Sequence, residues 1–324
     1  MPLPSDEKLI ALSNDVLQQF EKIFGPHSGY RPAHAKGMLL NGTFTPTSAA
    51  AALSRAPHFH QPSTRVWVRF SDSTGLPMIP DNNPNAHPHG CAIRFYLETR
   101  VHTDIISHSV NGFPVKNGQE FLEFLKALGA SDPAKIKGSP LEAFLGSHPT
   151  ALAFVQTPKP APVSFATEQY FGVTAVRFTN QDGQSRYGRY RVVPEAGVAH
   201  LSDAEAAAKS DNYLFDDIEA RVAKGPVAFR VMAQLANEGD PVDDATAVWP
   251  EDRALVEVGK FALTSTVANE ADEQRWTIFD PIPRAVDGIE PTKDPLHEVR
   301  STVYLLSGRR RRAAGGKGLA TSGG

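Results

Sequence analysis

Arg300 and Tyr304 stand four residues apart in the segment Asp294-Pro-Leu-His-Glu-Val-Arg300-Ser-Thr-Val-Tyr304-Leu-Leu-Ser-Gly308. On a helix that spacing puts both side chains on one face. A guanidinium beside a phenol stabilises the phenolate, and a phenolate is a hard anionic ligand suited to ferric haem iron. The same spacing also suits an amphipathic helix with a solvated arginine. His34 lies between two alanines in a polar, proline-broken stretch, Tyr30-Arg31-Pro32-Ala33-His34-Ala35-Lys36-Gly37. Such a histidine reads as a packed or surface side chain or as an acid–base group. In 64–71 the residues Val66, Val68 and Phe70 face one way and Trp67, Arg69 and Ser71 the other, by the period-2 rule. Arg69 and Ser71 therefore line a polar cavity or meet solvent.

The elements that carry these residues follow from local signals. Asp294 can cap the terminal helix, Pro295 suits its first position, and Gly308 is a plausible stop. Apolar spacing predicts a helix over 5–24 and another over 117–129, where Phe121, Phe124, Leu125 and Leu128 form a stripe. Residues 141–155 read as one helix, and Ser202 with Glu205 marks a capping box for a helix over 201–209. Residues 38–45 read as extended. Strands are predicted over 64–71, 91–97, 103–106, 170–180, 185–194, 225–236 and 254–267, with a hairpin turn at Asn180-Gln-Asp-Gly183. Strands adjacent in sequence with helices at either end predict an α+β fold, an antiparallel sheet or closed barrel with helices outside it.

The 324 residues, 41% hydrophobic, suffice for one large domain or two small ones. A net charge of -3 and a pI near 6.4 give no pull toward nucleic acid. The Arg/Tyr alternation over 186–191 can mimic a nucleic-acid surface but also suits an outer barrel strand. Cys91 is the single cysteine, which excludes an intramolecular disulfide and a CxxC metal site. The sequence holds no membrane-length apolar run and no secretory pattern at its N-terminus, so the expectation is cytoplasmic. Residues 1–312 are expected as a single domain and 313–324 as a disordered tail rich in Gly, Ala and Ser.

Five motifs in order along the chain resemble haem catalases, and most closely the short catalase-related peroxidases. They are Arg31-Pro-Ala-His34-Ala-Lys-Gly37; Val68-Arg69-Phe70-Ser71; Pro88-His89-Gly90-Cys-Ala-Ile-Arg94-Phe95, with His89 where the family usually has arginine; Asp240 to Lys260; and Gly288-Ile-Glu-Pro291 with Arg300-Ser-Thr-Val-Tyr304. The resemblance implies an eight-stranded antiparallel barrel holding haem b (iron protoporphyrin IX) between barrel and helices. It implies Tyr304 as iron ligand, Arg300 stabilising its phenolate, His34 as distal acid–base and Ser71 orienting the His34 ring. Arg31, Arg69 and Arg311 would pair the propionates, and Phe121 would stack on the porphyrin. The family's distal amide falls on Asn111, with His108 the alternative. The chain is shorter than a typical catalase, and the tetramer-building arm and C-terminal domain are reduced or lacking by this comparison. A more accessible haem is then expected, serving peroxides and a reducing co-substrate, in a monomer or homodimer. The implied activity is reduction of organic hydroperoxides and hydrogen peroxide. A true small catalase and a non-catalytic haem or apolar-ligand barrel are the alternatives.

Overall fold

The computed structural model describes residues 3–284 and 286–316. The elements run α1 (Glu7–Phe24), β1 (Gly37–Pro46), α2 (Ser48–Leu53), β2 (Thr64–Ser71), β3 (Gly90–Glu98), β4 (Val101–His108), α3 (Gly118–Gly129), α4 (Pro140–Ser147), α5 (Pro149–Gln156), β5 (Tyr170–Phe171), β6 (Val176–Thr179) and β7 (Ser185–Pro194). Then follow α6 (Asp203–Ala207), α7 (Tyr213–Lys224), β8 (Val227–Leu235), β9 (Leu255–Thr266), α8 (Glu270–Trp276), β10 (Ile289–Pro291) and α9 (Leu296–Gly316). The sheet order β7-β5-β4-β3-β2-β1-β9-β8 closes on itself through β8 pairing with β7. Eight antiparallel strands thus form a closed barrel, and β6 and β10 extend from β7 beyond it. Among the described residues no helix is long and apolar enough to cross a membrane.

Closure at eight strands leaves an interior that side chains can fill. Alternate positions do so here: Phe44, Phe70, Phe95, Phe229 and Phe261, from five different strands, are almost wholly buried in one cluster. Each ring contributes about 1.5–3 kcal/mol through burial. The opposite face of β2 is not solvated either. Trp67, Arg69 and Ser71 point away from the barrel interior yet are all buried. Trp67 packs with Leu39, Val267 and Phe279, while Arg69 and Ser71 contact the 31–37 segment. Nearby, α1 packs on α3 and α9 through Val16, Leu17, Leu122, Leu125 and Val303. The site lies between that layer and the barrel wall.

The structure corrects four expectations. Residues 170–180 form two strands, not one, because the chain leaves the barrel after Gly172; glycine inside a strand marks such bends. Residues 141–155 form two helices, because Pro149 disfavours helical backbone at His148, whose φ and ψ are -126° and 82°. Gly308 does not end α9. It lies inside the helix, where the Ile278 side chain occupies the space a Cβ would need. Residues 313–316 of the expected tail are helical, and 317–324 fall outside the described residues. The helices α7 and α8 were not anticipated from the apolar pattern, and α8 matters for the site.

Candidate active site

The terminal helix starts as its residue types require. The Asp294 carboxylate accepts from the Leu296 N–H at 2.9 Å, satisfying a donor that has no partner within the helix. One turn further on, Arg300 Nη2 approaches the Tyr304 hydroxyl at 3.5 Å. The Arg300 Nη1 is buried with no hydrogen-bond partner among the described residues. Tyr304 packs against the α1–α3 cluster, as does Phe121, whose ring lies 6.0 Å from Phe20 and 5.5 Å from Phe113.

Across the barrel wall, His34 is held with a φ of 54°, a left-handed backbone that a non-glycine residue adopts only when its surroundings impose it. Three contacts impose it. Arg69 Nη2 donates to the His34 carbonyl at 3.0 Å and to the Ala35 carbonyl at 3.3 Å, and Ala35 N–H donates to the Thr74 carbonyl at 3.1 Å. The ring is fixed by Ser71, whose Oγ lies 3.1 Å from Nδ1. Two glycines make room. A Cβ on Gly37 would strike the Arg69 guanidinium, and one on Gly90 would sit 2.5 Å from Ser71 Oγ and 3.1 Å from His34 Nδ1. Burial, then the charges of Arg69 and His89, push the His34 imidazole down to about 3. It is therefore neutral at physiological pH and able to accept a proton.

His108, at the end of β4, is pushed down to about 3 by burial and by the charges of Arg300 and His34. It therefore sits within electrostatic reach of both faces of the site. Its Nδ1 accepts from the Val110 N–H at 3.3 Å. That leaves Nε2 to carry the proton of the neutral ring. Asn111 lies in the following loop, half-buried, and its side chain makes no hydrogen bond among the described residues.

Arg31, Arg69 and Arg311 converge as a cationic rim. Arg31 Nη2 and Arg311 Nη2 donate to the Thr277 carbonyl at 3.1 and 2.9 Å, and Arg69 Nε donates to Gln274 Oε1 at 2.5 Å. Their donors go to carbonyls, an amide and the Ser307 hydroxyl, not to carboxylates. Burial first, then Arg69 and Arg311, lower Arg31 well below its ordinary value, and burial with Arg311 lowers Arg69 to about 9. Arg311 Nε is buried without a hydrogen-bond partner among the described residues. Mutually repelling guanidiniums in a dry place call for an anion. Arg31 and Arg311 line a cavity of about 200 Å³ together with Tyr30, Ser307 and Arg310.

Residues 15–319 match the family model described as Catalase. The chain belongs to the catalase family. It is 33% identical to the catalase-related peroxidase of Mycolicibacterium paratuberculosis (strain ATCC BAA-968 / K-10), over 87% of this chain and 89% of that protein. It is 34% identical to the catalase-related peroxidase of Synechococcus elongatus (strain ATCC 33912 / PCC 7942 / FACHB-805), over 92% and 88%. Among solved structures, a fungal catalase superposes with a TM-score of 0.76 at 23% identity, and catalase A from Saccharomyces cerevisiae with 0.75 at 21%. Each match covers 87% of this chain but only 59% and 61% of the larger catalase. The family implies haem, and the donor set fits it. Among the described residues the three guanidiniums lack a carboxylate hydrogen-bond partner, Arg300 has a buried unsatisfied nitrogen beside a phenol, and His34 supplies a buried neutral imidazole.

In this catalase-family chain His34, Ser71 and Arg69 are joined by direct contacts, Arg31 and Arg311 are tied to them through Gln274 and Thr277, and Arg300 pairs with Tyr304 on α9. Gln274, Thr277 and Glu270 escaped sequence reading. Gln274 Nε2 donates to the Gly37 carbonyl at 2.7 Å while its oxygen takes Arg69, so one amide braces the cationic rim against β1. The acidic run Glu270-Ala-Asp-Glu before Trp276 is a helix-start signal that could have located α8.

Proposed function

We propose that this catalase-family protein is a peroxidase that binds haem b and reduces organic hydroperoxides and hydrogen peroxide with an external electron donor. The observation that carries this reading is the neutral His34 held by Ser71, with His108 feeling the charges of both His34 and the Arg300 that pairs with Tyr304. Haem, when bound, supplies a ferric centre able to take up peroxide and pass on electrons. Tyr304 would hold the iron through its phenolate oxygen, and Arg300 would keep that oxygen anionic. For His34 to act through Nε2, Nδ1 must carry the proton and donate it to Ser71 Oγ. His34 Nε2 then takes the proton from the inner peroxide oxygen and returns it to the outer one, which leaves as water or alcohol. We assign the distal donor to His108 Nε2–H in place of Asn111, since the Val110 contact sets the tautomer needed. Arg31, Arg69 and Arg311 would take the propionates by charge-assisted hydrogen bonds. The cavity beside Arg31 and the exposed Tyr30 gives an organic reductant a route to that edge. We infer a cytoplasmic location, with the buried Cys91 thiol suited to a reducing compartment.

The test is the absorption spectrum of the haem-loaded protein, followed by peroxide with and without a phenolic reductant. Rapid oxidation of the phenol with little oxygen release supports the peroxidase reading. Vigorous oxygen release without reductant makes it a small catalase. Failure to take up hemin overturns every role assigned to Tyr304.

A further inference from the structure

The cavity beside Arg31 joins three parts of the fold. Helix α1 contributes Leu17 and Glu21, the turn after it contributes residues 25–32, and α9 contributes Ser307, Arg310 and Arg311. The turn is held by its own backbone: the Gly25 N–H donates to the Glu21 carbonyl at 2.9 Å and the Tyr30 N–H to the His27 carbonyl at 3.1 Å. It leaves the Tyr30 side chain 53% exposed, an open aromatic wall immediately before Arg31. A cavity of ~150 Å³ accepts a benzene ring. At about 200 Å³ this one has room for a single ring with a short side chain.

The charges around the cavity do not balance. Arg31, Arg310 and Arg311 face it, and Glu21 is the one carboxylate among the described residues that line it. Arg310 Nη1 donates to Glu21 Oε1 at 2.8 Å and Nη2 to Asn14 Oδ1 at 3.2 Å. Two of the five N–H donors of a guanidinium are used there, so the fork can still take a carboxylate. The groups whose charges act on Arg31 and Arg311 from behind are Arg69, Arg312 and Glu270, and Arg94, which Asp104 matches. Five guanidiniums, Arg31, Arg69, Arg310, Arg311 and Arg312, thus stand against two carboxylates, Glu21 and Glu270. Two haem propionates at the rim would leave one positive charge uncompensated.

We propose that this cavity is the binding site of the reductant, and that the reductant is a small phenolic acid with its carboxylate on Arg310 and its ring against Tyr30. This rests on the peroxidase reading and names the co-substrate class for it. A single carboxylate supplies the charge the cavity lacks, and a planar fork suits it better than a point charge would. The ring takes the aromatic wall that Tyr30 leaves open. Because Arg31 and Arg311 line both cavity and rim, a ring bound here stands one guanidinium away from the haem edge. The reaction balances as ROOH + 2 ArOH → ROH + H₂O + 2 ArO•. Two phenolic O–H bonds break, each giving one electron and one proton. The O–O bond breaks, and two new O–H bonds form at its oxygens. A neutral phenol of the same size undergoes the same chemistry but finds no charge to pair with.

The test titrates haem-loaded wild type, Arg310→Gln and Glu21→Gln with p-hydroxyphenylacetate and with its neutral amide, by calorimetry in the absence of peroxide. The same two compounds then serve as reductants at steady state. Wild type should bind the acid about tenfold more tightly than the amide at low salt, and the preference should shrink as salt screens the charges. Arg310→Gln should cut that preference about fivefold and raise the KM for the acid in step. Glu21→Gln, which frees Arg310, should move both in the opposite direction. The two side chains are 40% and 41% exposed, so neither change threatens the fold. Equal affinity for acid and amide, or a preference that neither variant moves, overturns the proposal. Binding to the haem-free protein that vanishes on loading haem also overturns it, since the cavity would then be the seat of the propionates themselves. A wild type that binds the acid but oxidises neither compound overturns the peroxidase reading and leaves the binding site standing.

Discussion

His34 Nδ1 lies 3.1 Å from Ser71 Oγ, joining a loop residue in left-handed backbone to the last position of β2. The contact fixes the tilt of the ring, and the Ser71 hydroxyl can accept from the Nδ1-protonated tautomer that presents Nε2 as a base. Ser71→Ala should slow the first reaction with peroxide about 10- to 100-fold, as loss of an orienting partner does. The haem spectrum should be retained. Stopped-flow mixing measures the rate, and an unchanged rate would show that the serine only fills space.

Tyr304 and Arg300 should separate by spectroscopy. Tyr304→Phe removes the phenol oxygen beside Arg300 and should abolish the ferric–phenolate bands in resonance Raman spectra. Arg300→Leu keeps the oxygen but removes its stabilising charge, and should lower peroxide turnover about 10- to 100-fold. If the bands persist in Tyr304→Phe, the iron ligand lies elsewhere.

Gln274 braces Arg69 and the Gly37 carbonyl at once. Gln274→Ala would leave a buried guanidinium N–H and a buried carbonyl unsatisfied. The loss should be about 1–3 kcal/mol in unfolding free energy. Urea unfolding of the haem-free protein measures this, and hemin affinity should fall alongside it as Arg69 loosens. A stability loss below the error of the titration would remove Gln274 from the brace.

Acid should destabilise the fold through its buried histidines. His34, His58, His87 and His108 are lowered to about 3, and His89 and His297 to about 4, in every case mainly by burial. Their folded values lie below the unfolded one, so the stability they contribute is complete above pH ~6.5 and lost as pH falls toward 3–4. Asp72 and Asp294, raised to about 6, and Asp81 and Glu168, raised to about 7, act in the opposite sense. Their contribution is present below pH ~4 and lost as pH rises through 6 to 7. The histidines outnumber the carboxyls, so net stability should drop between pH 6.5 and 4, less steeply than the histidines alone would dictate. His58 isolates the effect. It packs on Phe59 and Phe95 with ring separations of 4.4 and 4.9 Å. His58→Phe should flatten the profile by about 1.4 kcal/mol per pH unit. Urea midpoints at pH 5 and 7 give the answer, and an unflattened profile would mean that His58 is charged in the fold.

The site residues were legible because they sit in local patterns: four-residue helical spacing for Arg300 and Tyr304, strand alternation for Arg69 and Ser71. His34 carried no such signal by itself and gained one only from the order of motifs around it. Gln274 and Thr277 were not legible. They act through a side-chain amide and a backbone carbonyl, which any glutamine and any residue could offer.

Local chemistry in the sequence therefore determined the strands, the capped helices and the amphipathic faces, because hydrogen-bond capping and apolar period depend on neighbours a few residues apart. Only the tertiary structure decided that the outward face of β2 is dry, that three arginines from residues 31, 69 and 311 share one rim, and that Glu21 of α1 meets Arg310 of α9 in the wall of the adjoining cavity. Those relations depend on closure of the barrel and on the helices laid over it. They set the local dielectric and the charge around each group, and with them which groups hold protons.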